Sequence, residues 1–189
     1  MTKDNAVVFK TLLTKQEYNK LRKEFSDKPS NLQINYYFDT PRFTLKASDI
    51  GLRVRKRDKY EITLKRKKGY VLTEIEEVIT EEQFKEFLNN GIITNESINN
   101  ELSEIIKNQK LTCYMSLSTF RITFPYKNGK LSIDLCEYVD TTDYELEYEV
   151  TNYEEGKRNF IDFVKDHGII YKKSQPKIKR AYDALKSRS

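Results

Sequence analysis

The sequence predicts an α+β fold with a mainly antiparallel sheet. Three observations carry this prediction: about eight segments alternate apolar and polar residues with period two, about five have helical spacing, and turn residues separate them. The 189 residues suffice for one domain with a sizeable core. No stretch has the composition of a linker and no long repeat occurs, so we predict a single domain over residues 1–189.

The strands are predicted from strict alternation along the chain. At 144–150, Glu145, Glu147 and Glu149 share one face and four large side chains share the other. This pattern is typical of antiparallel strands that bury one face. It also predicts strands at 6–11, 34–39, 50–55, 60–65, 71–79, 120–124 and 131–135. Hairpin turns are predicted at Lys68-Gly69 and at Asn128-Gly129, the latter because both turn positions would need positive φ.

Helices are predicted between the strands from apolar spacing and capping residues. Each has an amphipathic pattern, so we expect the helices to cover the apolar face of the sheet. Two predicted helices start at the capping boxes Thr14–Glu17 and Thr80–Gln83. The other three cover 96–108, 153–167 before Gly168, and 174–186 with Pro176 in the first turn.

Composition excludes several classes of protein. No run of 15 apolar residues occurs, which argues against a membrane span, and the N-terminal sequence lacks the apolar region of a signal peptide, so a cytoplasmic location is expected. Cys113 and Cys136 lack zinc-ligand spacing, and with His167 as the one histidine a Ser-His-Asp triad is ruled out. The net charge of +5 favours anionic ligands.

Nearly all predicted strands carry their charged residues on the same face. Either the sheet closes into a barrel with this face inward, or it stays open with the face in water. Because buried charges need partners, a charged lumen would require a polyanion and a hard divalent cation, the latter held by Glu145, Glu147 and Glu149. The basic residues available for the polyanion are Lys10, Arg53, Arg55, Lys65 and Arg121.

The ordered set of charged motifs resembles the CYTH or triphosphate tunnel metalloenzyme family over nearly the whole chain. The motifs are Phe9-Lys10, Tyr37 to Thr40, Leu52 to Arg55, Glu61 to Lys65, Glu74 to Glu76, Arg121, Asp134 and Glu145 to Glu149. The resemblance implies an eight-stranded antiparallel barrel, closed or nearly closed, that binds a triphosphate with Mg²⁺ or Mn²⁺. Members of this family are inorganic, thiamine and RNA triphosphatases and class IV adenylyl cyclases.

The first strand departs from the family pattern. The family carries Glu-x-Glu-x-Lys there, whereas this chain keeps Lys10 and has Ala6 and Val8 in place of the two glutamates. In the family those glutamates help to bind the metal and to position the attacking water. Their replacement predicts weaker metal binding and lower activity, and it argues against a mechanism with two metal ions.

Charge, strand face and family motif together define the candidate site residues. Arg53 and Arg55 suit two oxygens of one polyphosphate, because strand geometry places them about 6.5–7 Å apart on one face. The candidates for substrate binding are Lys10, Arg53, Arg55, Lys65, Arg121, Lys177 and Arg180. The candidate metal ligands are Glu76, Asp134, Glu145, Glu147 and Glu149, and the candidates for catalysis are Lys10, Lys65 and Glu147.

Several of these residues have a second interpretation. Lys177 and Arg180 either close one mouth of a tunnel or form a solvated helix face. Glu76 and Asp134 either bind a metal or pair with arginines.

The predicted activity is a divalent-metal-dependent phosphohydrolase acting on inorganic triphosphate or another triphosphate. Two alternatives stay open: an enzyme similar to class IV adenylyl cyclases that makes cyclic AMP from ATP, and a triphosphate- or nucleotide-binding module without turnover. RNA binding through an open basic sheet is disfavoured, because the aromatic residues lie mainly opposite the arginines. The expected partner is a small-molecule triphosphate, with no membrane or nucleic acid, and no oligomeric state is predicted.

Overall fold

The computed structural model describes residues 6–188, which form eight strands and six helices. The strands are β1 (Val7–Leu13), β2 (Ser30–Asp39), β3 (Ile50–Lys56), β4 (Tyr60–Lys68), β5 (Val71–Ile79), β6 (Thr112–Tyr126), β7 (Gly129–Tyr138) and β8 (Thr141–Val150). The helices are α1 (Lys15–Glu24), α2 (Thr44–Ala47), α3 (Glu81–Asn90), α4 (Glu96–Ile106), α5 (Tyr153–Asp166) and α6 (Lys177–Lys186). None of the helices described is long and apolar enough to cross a membrane.

The strands belong to one antiparallel sheet in the order β1-β8-β7-β6-β2-β3-β4-β5. This confirms the predicted α+β class and the number of strands. Within residues 6–188 no ladder pairs β1 with β5, so hydrogen bonds do not close the sheet. The described residues form two compact units: unit one comprises residues 6–32 and 118–188, and unit two comprises residues 33–117. The single domain expected over 1–189 stays a prediction.

Unit one buries one face of β7 and β8 against helices α1 and α5. Leu131 lies opposite Tyr148 and Ile133 opposite Leu146 in the β7–β8 ladder, and none of the four is exposed to solvent. Phe163 of α5 belongs to the same core. Because successive side chains of a strand point to opposite faces, the charged residues between these apolar ones share the other face.

Unit two repeats this division between an apolar and a charged face. Leu52 and Leu64 lie opposite each other in the β3–β4 ladder and are buried. Helix α3 covers this apolar face, and the ring of Phe87 stacks on that of Phe38 with centroids 4.0 Å apart. The alternate residues of β3 and β4 are therefore on the face that carries the basic side chains.

Both predicted capping boxes are confirmed. The Thr14 side chain accepts a hydrogen bond from the backbone N–H of Glu17, whose carboxylate accepts from the N–H of Thr14 in return. The Thr80–Gln83 pair does the same at α3. After α5, Gly168 has φ +65°, as expected for the glycine that follows a helix end.

The hairpin predicted at Asn128-Gly129 is wrong by one residue. Strand β7 begins at Gly129, so the turn residues are Lys127 and Asn128, and Lys127 has φ +48°. A Cβ at Gly129 would lie 2.5 Å from both the carbonyl oxygen of Glu149 and a ring carbon of Tyr148. The glycine is therefore needed for close approach to β8 rather than for a positive φ.

Two helices differ from the sequence-based expectation. Helix α6 begins at Lys177 rather than at residue 174, because the extended backbone of Pro176 precedes its first turn. The four-residue helix α2 was not predicted, since it is too short to show helical periodicity. It is held by Asp39, whose carboxylate accepts hydrogen bonds from the backbone N–H groups of Leu45 and Lys46.

We expect Gly156→Ala to lower the stability of unit one. A Cβ there would lie 2.3 Å from Cγ2 of Val150, a buried and stiff β-branched side chain. Overpacking costs about 1–3 kcal/mol. Replacing a helical glycine by alanine gains roughly 1 kcal/mol of helix propensity, so the variant is less stable for most values of the overpacking cost. Thermal unfolding should show a lower Tm for this variant.

The matched control is Gly51→Ala, because a Cβ at that position meets no atom within 4 Å. An unchanged Tm for Gly156→Ala would contradict the close packing of α5 on β8.

Candidate functional site

Strand alternation gives unit one a charged face that is centred on β8. Glu145 lies opposite Asp134 of β7, and Glu147 lies opposite Lys10 of β1. Residues that face each other in an antiparallel ladder have their side chains on the same side of the sheet. Glu149, at the next alternate position, is exposed and lies opposite Lys130 of β7.

Three carboxylates of this face come together, and we call Asp134, Glu145 and Glu147 the acidic cluster. One oxygen of each lies within 4.8 Å of an oxygen of the other two. Asp134 and Glu145 have no solvent exposure, and Glu147 is half-buried. Carboxylates this close and this buried require cations or protons between them.

Arginine side chains contact the acidic cluster from two sides. Arg121 of β6 binds Asp134 in a bidentate manner, with both N–O distances at 2.7 Å, and also lies 3.0 Å from Glu147. Arg180 of α6 donates from Nη2 to Oε2 of Glu145 at 2.8 Å and places Nη1 3.2 Å from Asp143. These are the charge-assisted, planar contacts for which arginine is suited.

Lys177 of α6 contacts all three members of the acidic cluster. Its Nζ lies 2.5 Å from Oδ2 of Asp134, 3.2 Å from Oε1 of Glu147 and 3.8 Å from Oε1 of Glu145. The Lys177 side chain is 20% exposed. The ammonium group thus occupies the middle of a largely buried carboxylate cluster.

Burial and charge shift the pKa values of these groups in opposite directions. Burial raises the pKa of Glu145, and the neighbouring carboxylate of Glu147 raises it further. Burial also opposes ionisation of Glu147, but the interaction with Glu145 and the charges of Lys177 and Arg121 outweigh it, so the pKa of Glu147 is lowered. Burial disfavours the charged form of Lys177, yet Asp134 and Glu147 outweigh it and raise that pKa. Glu147 and Lys177 therefore form an ionised pair.

The acidic cluster suits a hard divalent cation in the chemistry of its ligands. Mg²⁺ and Mn²⁺ prefer oxygen ligands, and three carboxylates provide them. The Oε1 atom of Glu145 is buried and has no hydrogen-bond partner among the described residues, which leaves it available as a ligand. Of the five predicted metal ligands, the structure brings together Asp134, Glu145 and Glu147. Glu149 is exposed and outside this group, and Glu76 is exposed on β5 of unit two.

Unit two has a separate set of basic residues on one face of β3 and β4, which we call the basic face. Arg53 has a buried Nε without a hydrogen-bond partner among the residues described. Arg55 donates from its Nε to Asn35 at 3.0 Å, and burial, followed by repulsion from Arg53 and Arg57, lowers the pKa of its guanidinium. Among the described residues neither Arg53 nor Arg55 has a carboxylate within ion-pair distance, although Glu61 lies opposite Arg55 in the β3–β4 ladder, and this leaves both guanidinium groups able to bind an anion.

Lys65 belongs to the same face and has a weak partner. Its Nζ lies 3.9 Å from Glu74, and both side chains are more than 40% exposed. Ion pairs this exposed contribute little to stability, so Lys65 can exchange its carboxylate for another anion at small cost.

Strand β1 retains the lysine of the family pattern. Lys10 is half-buried opposite Glu147 and forms no ion pair with any described residue. Val8 lies opposite Glu149 and is 47% exposed, and Ala6 is exposed just before the strand begins. The position that holds a glutamate in the family pattern is thus on the same face as the acidic residues of β8.

Sequence reasoning missed three residues that contact the candidate side chains of unit one or of unit two. Asp143 pairs with Arg180, and its place two residues before Glu145 in the same alternation is a signal that could have identified it. Ser174 donates to Oε2 of Glu145 at 2.5 Å from an irregular segment, and Asn35 accepts from Arg55. No periodic pattern marks either of these two.

Comparison with known proteins shows which family and which structures the chain is similar to. The sequence model of the CYTH domain family matches residues 5–182. The Bacillus subtilis (strain 168) protein named "Putative triphosphatase YjbK" is 28% identical over 187 residues, which is 97% of each chain. A "putative adenylate cyclase" from Bacillus halodurans has a crystal structure with a TM-score of 0.71 and 27% identity, over 95% of this chain and 98% of that chain. HpAC1 from Hippeastrum shares the fold with a TM-score of 0.73 at 22% identity, over 97% and 96% of the two chains.

Proposed function

We propose that this chain, which belongs to the CYTH domain family, is a divalent-metal-dependent phosphohydrolase that acts on inorganic triphosphate or another triphosphate. The observation that carries the proposal is the basic face of unit two, where Arg53 keeps a buried Nε without an acceptor. A polyphosphate supplies several anionic acceptors in a row, which suits successive basic side chains on one strand face. The B. subtilis relative, named as a triphosphatase, supports the same class of substrate.

Phosphate binding in this proposal is assigned to Arg53, Arg55, Lys65 and Lys10. Arg53 and Lys10 have no ionic partner among the described residues, so neither must give up an ion pair to bind phosphate. Lys65 and Lys10 are also the proposed catalytic cations, which stabilise charge that develops on the phosphate oxygens. The other candidates for substrate binding already pair with carboxylates: Arg121, Lys177 and Arg180. Each would have to release its carboxylate before it could bind phosphate.

Cation binding is assigned to Asp134, Glu145 and Glu147, with Glu149 and Glu76 retained as further candidates. A bound Mg²⁺ or Mn²⁺ supplies charge neutralisation and a polarised water. Among the three carboxylates of the acidic cluster, Glu147 is the proposed group that orients the attacking water, because its lowered pKa keeps it ionised and able to accept a hydrogen bond from that water. With inorganic triphosphate, water attacks a terminal phosphorus, the bridging P–O bond breaks, and phosphate and pyrophosphate are formed.

A second candidate function is an adenylyl cyclase-like reaction. The B. halodurans protein, 27% identical to this chain, is named a putative adenylate cyclase, and this observation favours the alternative. Product analysis separates the two functions, because a phosphohydrolase releases phosphate or pyrophosphate with a shortened nucleotide from ATP, whereas a cyclase forms cyclic AMP and pyrophosphate. The test is a screen of inorganic triphosphate, thiamine triphosphate and ATP with Mg²⁺ and Mn²⁺. Binding of triphosphate without any turnover would instead support the non-catalytic module.

Inorganic triphosphate is expected to raise the Tm of the protein. A ligand that binds only the folded state stabilises it by mass action, which corresponds to about 5–10 °C at a concentration about 100-fold above Kd. Differential scanning fluorimetry should show that Arg53→Ala removes most of this shift and that added salt weakens it.

The matched control is Arg57→Ala, which removes an exposed arginine of the same region whose partner is Glu61. An equal loss of the shift in both variants would contradict a specific role for Arg53. No shift at millimolar triphosphate would count against the proposed substrate class.

A further inference from the structure

We infer that Lys177 is an internal cation that competes with a divalent metal ion for the acidic cluster, so that metal binding requires Lys177 to leave. Among the described side chains, Lys177 is the one that forms ion pairs with Asp134, Glu145 and Glu147 together. This inference rests on the proposed function for the location of the metal ion, but it does not depend on turnover.

The distances place the ammonium group where a shared metal ion would lie. A metal bound by all three carboxylates must be close to one oxygen of each, and these oxygens are within 4.8 Å of one another. The Nζ of Lys177 is already 2.5–3.8 Å from an oxygen of each residue. An ammonium and a dication cannot occupy this space together, because like charges repel strongly where burial limits screening.

The arginines have a different position in the cluster. Arg121 contacts Asp134 and Glu147, and Arg180 contacts Glu145 and Asp143. Each arginine therefore neutralises part of the cluster from one side, and neither bridges all three carboxylates. Removal of Lys177 leaves the central position empty while both arginine contacts persist.

The placement of Lys177 also contradicts the local preference of its helix. It is the first residue of α6, and the first turn of this helix contains no acidic residue. A cation near a helix N-terminus is unfavourable, because that end carries the positive pole of the helix dipole. Pro176 provides no side-chain cap. The ion pairs of Lys177 with the acidic cluster offset this cost, and a metal ion would replace them, whereas the Arg180 contacts of α6 would persist.

The experiment measures Mn²⁺ binding by electron paramagnetic resonance, without triphosphate, for the unaltered protein, Lys177→Met and Lys179→Met. Lys179 is exposed on the same helix and pairs with Asp183, so it is the matched control. We expect Lys177→Met to bind Mn²⁺ at least ~10-fold more tightly, equivalent to about 1.4 kcal/mol, and Lys179→Met to be unchanged. Equal affinity of Lys177→Met and the unaltered protein would overturn the inference.

Two further measurements locate the effect. Adding Asp134→Asn to Lys177→Met should abolish the gain, and a gain that persists would show that Mn²⁺ binds elsewhere. If Lys177→Met does not fold, hydrogen exchange of the unaltered protein replaces it. Saturating Mn²⁺ should then speed amide exchange in α6 but not in α3, and Mn²⁺ binding without this change would refute competition. Because none of these measurements uses substrate, a failure to hydrolyse triphosphate would count against the proposed function alone.

Discussion

Asp134→Ala is expected to lower the free energy of unfolding by about 3–5 kcal/mol, because it removes one partner from a buried ionic network. Asp134 is fully buried and accepts two hydrogen bonds from Arg121 and one from Lys177. The alanine variant leaves both cations largely desolvated, with fewer carboxylates to neutralise them. Urea denaturation followed by circular dichroism measures the loss.

Two comparisons give this prediction its specificity. Asp27→Ala removes an exposed carboxylate 3.8 Å from Lys28 and should change stability little. Asp134→Asn keeps one oxygen acceptor and should lie between the alanine variant and the unaltered protein. If Asp134→Ala were as stable as Asp27→Ala, the network around the acidic cluster would contribute no net stability.

Restoring glutamates in the first strand should increase metal-dependent triphosphatase activity. We expect the double variant Ala6→Glu, Val8→Glu to be at least ~10-fold more active, equivalent to roughly 1.4 kcal/mol of barrier. Position 8 lies opposite Glu149 of β8, so a glutamate there extends the charged face of β8. The basic residues bind the ground-state polyanion, whereas a bound metal acts on charge that develops in the transition state. The gain should therefore appear in kcat more than in KM.

The control for the added charge is Leu88→Glu, Ile161→Glu, which places two carboxylates at exposed helical positions. Phosphate release with Mg²⁺ or Mn²⁺ is measured for both double variants. Equal activity of the unaltered protein and the first-strand variant would show that metal binding depends on the β8 carboxylates without help from β1. An equal gain in the control would show a non-specific effect of net charge.

The strands and the charged face were accessible from the sequence because they depend on backbone periodicity. Side chains two residues apart on a strand share a face, so Glu145 and Glu147 had to be neighbours once 144–150 was identified as a strand. The turn predicted at Asn128-Gly129 lies one residue too late, because the prediction attributes Gly129 to a need for positive φ. Its neighbours in β8, which leave no room for a Cβ, are visible only in the folded chain.

The acidic cluster combines strand faces that alternation predicts with contacts that depend on the packing of α6. Alternation determined that Asp134 and Glu145 each point to a polar face, and the ladder between β7 and β8 placed them opposite each other. The contacts of Lys177 with these carboxylates span 30 or more residues, and Ser174 reaches Glu145 from an irregular segment. No local propensity encodes such contacts, because they arise only when the packing of α6 brings the two segments together. The sequence thus specified which charges share a face, and the tertiary structure decided which cation neutralises them.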